Sequence, residues 1–333
     1  MSSIKALKHP RILIMALAAS LLAMGLVILP QMNPPQPQSQ TLSFSIGASD
    51  PRTATGVHPA DILGIGAMPL IACDKLGLIC TDPASGAQDD LISLSYGQDF
   101  TETGFPPMQF SVAAGSAGLA GTAVRLESGC RPSEPQSDVF ETGLDSSNSQ
   151  DLDGNGLACS TNSGFGLLLA EGDSYDNVDA LDRDPCMFVD PNCDGVPEEP
   201  IFFTLAAYSP SLASLGATPA DILVSGIDFT PLVWASGPSD LGLKLNDVID
   251  AICIRENGDG KFGSGDQLLF SLAPGSPSLS LIKANAADLL RPKPVRIGVL
   301  ASLLGLATND NLDALMCSYK LQFSDMYLPV VRK

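Results

Sequence analysis

The chain has 333 residues, with 37 acidic and 18 basic side chains and a formal net charge of −19. So acidic a protein repels nucleic acid and anionic lipid surfaces, and we expect neither as a partner. A chain of this length can bury a large core, and it exceeds the usual size of one domain unless repeated units share one architecture.

The N-terminal segment has the pattern of an export signal. Lys5, Lys8 and Arg11 precede an apolar run from Ile12 to Leu29. Residues 1–29 are therefore predicted to be a signal peptide or an N-terminal membrane anchor, and no clear cleavage site decides between the two. The rest of the protein is expected outside the cell or at its surface, with membrane contact only through this segment.

The remainder divides into three parts. Residues 30–42 are rich in proline and glutamine and predict an extended linker. Residues 43–318 show no sustained helical periodicity but many short β-prone runs, so a mainly β domain is expected there. Residues 319–333 are expected to be a C-terminal tail.

Four landmarks recur in the same order in four copies, at about residues 43–100, 110–183, 202–254 and 269–318. The first is an aromatic strand signal, found as Phe44-Ser45-Ile46, Phe110-Ser111-Val112, Phe203-Thr204-Leu205 and Phe270-Ser271-Leu272. The second is an aspartate before apolar residues, at Asp61, Asp138, Asp221 and Asp288. The third is a Leu-Gly-Leu or Phe-Gly-Leu motif around Gly77, Gly166, Gly242 and Gly305. The fourth is an acidic and apolar run that contains Asp-Ala, at Asp176–Leu181, Asp247–Ile252 and Asp310–Leu315, with a degenerate copy at Asp89–Leu94. A fixed order in four copies identifies a repeat protein.

The ends of the repeat region predict how the copies are arranged. The chain enters at an aromatic strand, Phe44, and leaves after an Asp-Ala strand, Asp310–Leu315. The last strand can then complete the first unit and remove free sheet edges, as a closed ring requires. We predict a four-bladed β-propeller closed by pairing of the N- and C-terminal strands, with two tandem β-sandwiches as the alternative. Whether a fourth strand or one helical turn precedes Leu-Gly-Leu is not decided by the sequence.

The eight cysteines are even in number, form no CxxC motif and follow an export segment, so disulfides are expected rather than a metal site. The sequence proves no connectivity, but the register of the repeats favours four pairs. They are Cys73 with Cys80, Cys130 with Cys159, Cys186 with Cys193, and Cys253 with Cys317.

Two resemblances to known families follow from these motifs. The string FSLAPGSPSL and the downstream Leu-Gly-Leu and Asp-Ala-Leu segments resemble repeats of exported bacterial proteins of uncharacterised function, over about residues 43–318. The order of Asp-Ala strand, loop and aromatic strand is also similar to hemopexin-type four-bladed propellers, although the present blades are longer and lack a Tyr-Trp pair. That second resemblance implies a central channel beside Ala180, Ala251 and Ala314 that can hold an ion. The first repeat departs from it, with Ile92-Ser93 in place of Asp-Ala.

Three loops have oxygen-bearing residues at the spacing of a calcium site. Residues 257–266 resemble the second part of an EF-hand or dockerin loop, although Arg255 stands at the first ligand position and Asp266 replaces the closing glutamate. Bound Ca²⁺ is one interpretation, and metal-free hairpins with Asn-Gly and Asp-Gly turns are the other. The candidate ligands are Asn257, Asp259, Lys261 and Asp266 in the first loop, Asp190, Asn192 and Asp194 in the second, and Asp151, Asp153 and Asn155 in the third.

The repeated acids also have two interpretations. The aspartates of the second landmark and the Asp-Ala acids Asp179, Asp250 and Asp313 each recur once per repeat. Such acids usually accept hydrogen bonds from backbone N–H groups at turns, and the alternative is a shared ion-binding ring. Trp234 lies in an apolar stretch and is expected in the core.

The sequence contains no recognisable catalytic motif. His58 is the one histidine outside the export segment, and GxSxG, GxGxxG and P-loop patterns are absent. We therefore predict a non-enzymatic cell-surface binding or structural module, with calcium as a candidate stabiliser and an unidentified extracellular ligand or cell-surface partner. Recognition is expected in loops, above all in insertions of the second repeat at about residues 116–136 and 141–163. The alternative is a secreted glycosidase-like hydrolase with paired carboxylates in a propeller channel.

Overall fold

The computed structural model describes residues 42–96, 107–130, 133–155, 165–167, 169, 176–183, 189–191, 195, 199–226 and 230–317. Within these ranges no helix has the length and apolar character needed to cross a membrane. The predicted export segment, nearly all of the linker and the C-terminal tail lie outside the described residues.

In the described residues, seventeen strands form four sheets, which are the four blades. The strands are β1 (Ser43–Ile46), β2 (Ile62–Gly64), β3 (Met68–Ile71), β4 (Leu91–Tyr96), β5 (Met108–Val112), β6 (Val139–Thr142), β7 (Ser149–Asp153), β8 (Phe165–Gly166), β9 (Val178–Arg183), β10 (Ile201–Leu205), β11 (Ile222–Ser225), β12 (Leu232–Ala235), β13 (Ile249–Arg255), β14 (Gln267–Leu272), β15 (Leu289–Arg291), β16 (Arg296–Val299) and β17 (Leu312–Met316). The sheet orders are β17-β1-β2-β3 in blade 1, β4 to β8 in blade 2, β9 to β12 in blade 3 and β13 to β16 in blade 4. All pairings are antiparallel except that of β8 with β7. The predicted mainly β fold with four blades is confirmed.

The ring closes through the two ends of the repeat region. The C-terminal strand β17 pairs with β1, so that Phe44 lies opposite Leu315. The innermost strands of the blades pack in a cycle, with β17 against β4, β4 against β9, β9 against β13 and β13 against β17. The four-bladed propeller completed by its last strand is therefore the architecture of the chain, and the tandem-sandwich alternative is wrong.

The hydrophobic core consists of four clusters, one between each pair of neighbouring blades. Phe44 of blade 1 shares a cluster with Leu269 of blade 4. Phe110 of blade 2 packs in a cluster with Ile62 of blade 1, and the other two interfaces are built in the same way. Because both faces of every blade are covered, each blade depends on its neighbours for burial of its apolar side chains.

Short helical segments occupy equivalent places in the blades. One follows the second strand of each blade: the 3-10 turn Pro51–Thr55 and the helices α1 (Ala123–Ser128), α2 (Ser211–Leu215) and α3 (Pro277–Ile282). Another follows the fourth strand in three blades: the 3-10 turn Cys73–Leu76, the π-helical turn Gly237–Leu241 and α4 (Ala301–Leu304). The stretch before Leu-Gly-Leu thus contains both a fourth strand and a helical turn in these blades.

Gly305 shows why the third landmark contains glycine. Its φ of +82° is unfavourable for other residues, and it ends helix α4. A Cβ atom at this position would lie 2.4 Å from the carbonyl carbon of Gly66, in the turn between β2 and β3. The glycine therefore allows blade 4 to approach blade 1 backbone to backbone.

Two of the predicted disulfides are present in the described residues. Cys73–Cys80 closes a short loop after β3, and Cys253–Cys317 joins β13 of blade 4 to the end of β17 in blade 1. Cys130 is also disulfide-bonded, but its predicted partner Cys159 lies outside the described residues. The predicted pair Cys186–Cys193 lies outside them as well.

Candidate functional site at the channel mouth

Every inner strand carries a β-bulge near its start. Ser45 pairs with Ala314 and the next residue, Ile46, pairs with Leu312, so Asp313 is the extra residue of β17. The same shift of register leaves one extra residue in each of the other inner strands, namely Ile92, Asp179 and Asp250. Bulges redirect side chains. Here they fix the direction of the recurring aspartate of the Asp-Ala landmark.

Four carboxyl groups lie close enough to act on one another where the four inner strands pack around the centre of the ring, a place that we call the channel mouth. The charges of Asp179, Asp250 and Asp313 influence one another, as the bulge positions lead one to expect. The bulge residue of blade 2 is Ile92, which has no charge, but Asp90 stands two residues earlier and acts electrostatically on all three acids. Each blade therefore contributes one carboxyl group.

Burial and mutual repulsion dominate the electrostatics of these acids. Loss of water on burial raises the pKa of Asp90 to about 6. Burial, followed by the neighbouring acids, holds the pKa of Asp179, Asp250 and Asp313 well above the ordinary value. The carboxyl group of Asp250 raises the pKa of Asp313 further, whereas that of Asp313 partly offsets the rise in the pKa of Asp250, so these two groups are close neighbours. No lysine or arginine of the described part is among the groups that shift these four pKa values.

Two asparagines complete the group, which we call the channel-mouth cluster: Asp90, Asp179, Asp250, Asp313, Asn177 and Asn311. Asn311 donates from Nδ2 to Asp313 Oδ1 at 3.2 Å and lies close enough to Asp250 to act on its pKa. Asn177 donates from Nδ2 to the hydroxyl of Tyr208 at 3.0 Å, and Tyr208 is 66% exposed at the rim. Burial, and next the charge of Asp179, raise the pKa of Tyr208, which places its hydroxyl beside the cluster.

The cluster leaves one buried side-chain oxygen without a partner in each blade. These atoms are Asp90 Oδ1 in blade 2, Asn177 Oδ1 in blade 3, Asp250 Oδ2 in blade 4 and Asn311 Oδ1 in blade 1. Asp250, Asn177 and Asn311 are only 5–8% exposed. An unsatisfied buried acceptor costs free energy, so four of them, on or directly before the four inner strands, indicate a missing interaction.

The aspartates of the second landmark, in contrast, have a structural role. Asp221 accepts hydrogen bonds from the N–H groups of Thr218 and Gly237, at 2.7 and 2.6 Å. Asp288 accepts from Asn285 and Ala301, and Asp61 makes the equivalent pair of bonds. The interpretation of these acids as acceptors for turn N–H groups is confirmed. From the sequence alone these acids cannot be separated from the Asp-Ala acids, which behave differently in the structure.

The loop at residues 257–266 is organised by its own backbone. The carboxylate of Asp266 accepts from the N–H groups of Asn257 and Gly263, at 2.9 and 2.6 Å. Asp259 accepts from the N–H of Lys261 at 2.9 Å. Glu256, which the sequence did not single out, is 3% exposed and accepts from three N–H groups of the loop. Calcium binding at this loop stays a prediction.

The other two candidate loops are only partly described. Asp190 accepts from the N–H of Gly195 at 2.9 Å, and Asn192 and Asp194 lie outside the described residues. A Cβ on Gly260 would lie 3.5 Å from Val189 Cβ, so this loop lies beside the 257–266 loop.

The third candidate loop is in part a strand. Asp151 and Asp153 belong to β7, because Ser149–Asp153 pairs with β6. Asp151 forms an ion pair with Arg183 and accepts from Gln109 Nε2 at 2.6 Å, and Asp153 accepts from the N–H of Asn155 at 3.1 Å. The carboxylates of this segment thus already serve the fold, and calcium binding there also stays a prediction.

Compact sets of potential metal ligands occur elsewhere in the described residues, but they contain disulfide sulfurs. One is Asp61 with Cys73 and Cys80, and the other is Glu127 and Glu134 with Cys130. A metal would need thiolates, and these cysteines are oxidised. Neither set is therefore a metal site in the oxidised protein.

Trp234 packs against Phe202 and Phe262, with ring centroids 4.7 and 5.0 Å apart, and is buried as expected for a core residue. His58 sits in a turn with its Nδ1 3.3 Å from Gln88 Nε2.

No protein-family model, curated protein or solved structure matches this chain. The resemblances to exported bacterial repeats and to hemopexin-type propellers therefore stay predictions.

Proposed function

We propose that this chain is an exported, non-enzymatic binding or structural module. The observation that supports this proposal best is the covalent closure of the ring by Cys253–Cys317, which clamps the last blade to the first. Disulfides of this kind persist in oxidising compartments, in agreement with the predicted export segment. A rigid closed ring is a suitable frame for loops that recognise another molecule.

The repeated polar residues support a scaffold role more than a catalytic one. The second-landmark acids hold turns, and the channel-mouth acids are largely withdrawn from solvent. The carboxyl groups of Asp250 and Asp313 are close neighbours that act directly on each other's pKa. Glycosidases instead hold their two carboxyl groups about 5–10 Å apart, with room for a sugar or water between them. The hydrolase is the less favoured alternative.

The surface that we assign to recognition includes the first insertion of blade 2. Its helix α1 is anchored by Thr122, which accepts from the N–H of Arg125, and by Asn148, which accepts from the N–H of Val124 at 3.1 Å. Leu126 on this helix is 47% exposed. The partner is an unidentified extracellular ligand or cell-surface molecule, and the strong negative charge disfavours nucleic acid.

The proposal is tested in producing cells. Intact cells and fractions are treated with a membrane-impermeant maleimide before and after reduction, and labelled cysteines are identified by mass spectrometry. We expect the chain outside the cytoplasm, with Cys253 and Cys317 labelled only after reduction. Cytoplasmic protein with reactive thiols at these positions would overturn the proposal.

A substrate panel separates the module from the hydrolase. Purified oxidised protein is incubated with glycoside and peptide substrates, beside the variants Asp250→Asn and Asp313→Asn. The module predicts no turnover above buffer for any of the three proteins. Turnover by the wild type that both variants lose would establish the hydrolase instead.

A further inference from the structure

We propose that the channel mouth binds one divalent cation of the hard, oxygen-preferring class, Ca²⁺ in particular, through oxygens that come from all four blades. The ligands are drawn from the channel-mouth cluster. This site is distinct from the three loops with calcium-like spacing, because its residues lie on the inner strands and directly before them.

The charge of the site is the first reason. The bulges of β9, β13 and β17 place three aspartates, and the residue before β4 places Asp90, on inner strands that pack against one another. In the described part of the chain no basic side chain is among the groups that act on these four acids. Arg52 forms an ion pair at 2.6 Å with Asp310, three residues before Asp313, and also donates to the carbonyl of Gly305. It is therefore already engaged outside the cluster. Buried carboxylates need a compensating charge, and a cation on the channel axis can compensate all four at once.

The unpartnered oxygens are the second and independent reason. Asn311 is 8% exposed, its amide nitrogen binds Asp313, and its Oδ1 has no partner. Asp250 Oδ2, Asn177 Oδ1 and Asp90 Oδ1 are also buried atoms without a hydrogen-bond partner. Because an asparagine oxygen carries no charge, its lack of a partner is not explained by repulsion among acids. A cation supplies the interaction that each of these oxygens lacks.

The chemistry of the ligands selects the class of ion. All are carboxylate or amide oxygens, which suit calcium and magnesium better than zinc or copper. No three of the acidic side chains bring ligand oxygens within 4.8 Å of one another. A bound ion therefore retains water between some ligands or draws the carboxyl groups inward. Ca²⁺ accepts irregular and partly hydrated shells, whereas Mg²⁺ requires near-octahedral geometry, so calcium is favoured.

The fold gives the site both rigidity and access. The bulges fix the three Asp-Ala acids, and Asp90 is held by a hydrogen bond from the N–H of Ala48 to its Oδ2, at 3.3 Å. Asp250 and Asp313 lie deep, at 6% and 8% exposure. Asp90 and Asp179 are half-buried and form the side from which an ion can enter.

The test uses the full oxidised chain, stripped of metal with a chelator. Ca²⁺ binding is measured by calorimetry, and thermal unfolding is followed in chelator and in ~10 mM Ca²⁺. We expect one Ca²⁺ per chain with a Kd of ~1 mM or tighter and a rise in Tm of roughly 3 °C. Asp250→Asn should weaken binding at least about tenfold and abolish the rise. In chelator the same variant should melt no lower than wild type, because it removes a buried charge.

Matched controls decide the location of the ion. Asp259→Asn makes the same change in the exposed 257–266 loop and should leave the affinity unchanged. Should Asp250→Asn fail to fold, Asp90→Asn replaces it, because this half-buried residue makes one backbone hydrogen bond. Three outcomes would each overturn the proposal. The first is a Ca²⁺ affinity that Asp250→Asn, or Asp90→Asn in its place, leaves unchanged. The others are binding that is lost only in Asp259→Asn, and no binding by the folded wild type at ~10 mM Ca²⁺.

Discussion

Ser271 Oγ donates a 3.0 Å hydrogen bond to the backbone carbonyl of Leu312 and so joins blade 4 to the inner strand of blade 1. The same bond recurs at each of the other interfaces. Ser45 binds the carbonyl of Leu91, Ser111 that of Val178 and Thr204 that of Ile249, at 2.7–3.1 Å. The hydroxyl of the first landmark is thus a fourfold link between neighbouring blades, placed just before each bulge.

Loss of this link should weaken the ring. Ser271→Ala removes a buried donor and leaves the Leu312 carbonyl without that bond, so we expect unfolding to become easier by about 1–2 kcal/mol. Urea denaturation of the oxidised protein measures the difference. Ser280→Ala, the same change at an exposed position of α3, is the control and should lie within about 0.5 kcal/mol of wild type. Equal effects of the two variants would show that the link contributes nothing.

The two described disulfides should differ in their effect on stability. Cys253–Cys317 spans 64 residues and Cys73–Cys80 spans 7. Loop-closure entropy then predicts about 4 kcal/mol lost when the long bridge is replaced by two serines and about 2 kcal/mol for the short one. Denaturant unfolding of each double variant checks this order. A larger loss at the short bridge would show that ring closure by the disulfide is not the main effect.

The channel-mouth acids should make stability depend on pH when no cation is present. Their pKa values are raised in the folded protein, so this contribution is fully present below the ordinary aspartate pKa. It is lost as pH rises above the ordinary aspartate pKa, through about pH 6 for Asp90 and through the raised pKa values of the other three acids. In chelator, wild type should lose more stability than Asp250→Asn as pH rises from about pH 4 to about pH 7, because the variant lacks one of these acids. Parallel curves for the two proteins, obtained by denaturant titration at each pH, would contradict this.

Asp266 should stabilise its loop without metal. It accepts two backbone hydrogen bonds, whereas the exposed Asp259 accepts one within a turn. In chelator we expect Asp266→Ala to cost about 1–2 kcal/mol and Asp259→Ala less than about 1 kcal/mol. The comparison repeated in Ca²⁺ tests the loop as an ion site. If the stability of the two variants differs from that of wild type only when Ca²⁺ is present, the loop carboxylates are metal ligands rather than acceptors for turn N–H groups.

The architecture was predictable because the repeat constrains it at several levels. The aromatic strand, the Asp-Ala strand and their order are visible in the sequence, and the ends at Phe44 and Leu315 predict closure by the last strand. In the structure these two residues pair with each other across β1 and β17. The pair Cys253–Cys317 also followed from the repeat register. Trp234 was correctly placed in the core.

The site was predictable only in part. Asp179, Asp250 and Asp313 were recognised as recurrent, but the bulges that direct them depend on strand register, which the sequence does not reveal. Asp90 and the two asparagines were missed because their contribution comes from the position two residues before the bulge. When the four repeats are aligned at their bulges, the residues two places before the bulge are Asp90, Asn177, Val248 and Asn311. Blade 2 carries its acid at this position, whereas the other blades carry theirs at the bulge itself.

The closed ring is tested most directly by peptide mapping of the protein purified without reduction. The closed ring predicts that the peptide with Cys253 is linked to the peptide with Cys317, because β13 of the last blade then lies beside β17 of the first. A bond from Cys253 to any other cysteine, or free thiols at both positions in protein from an oxidising compartment, would contradict it.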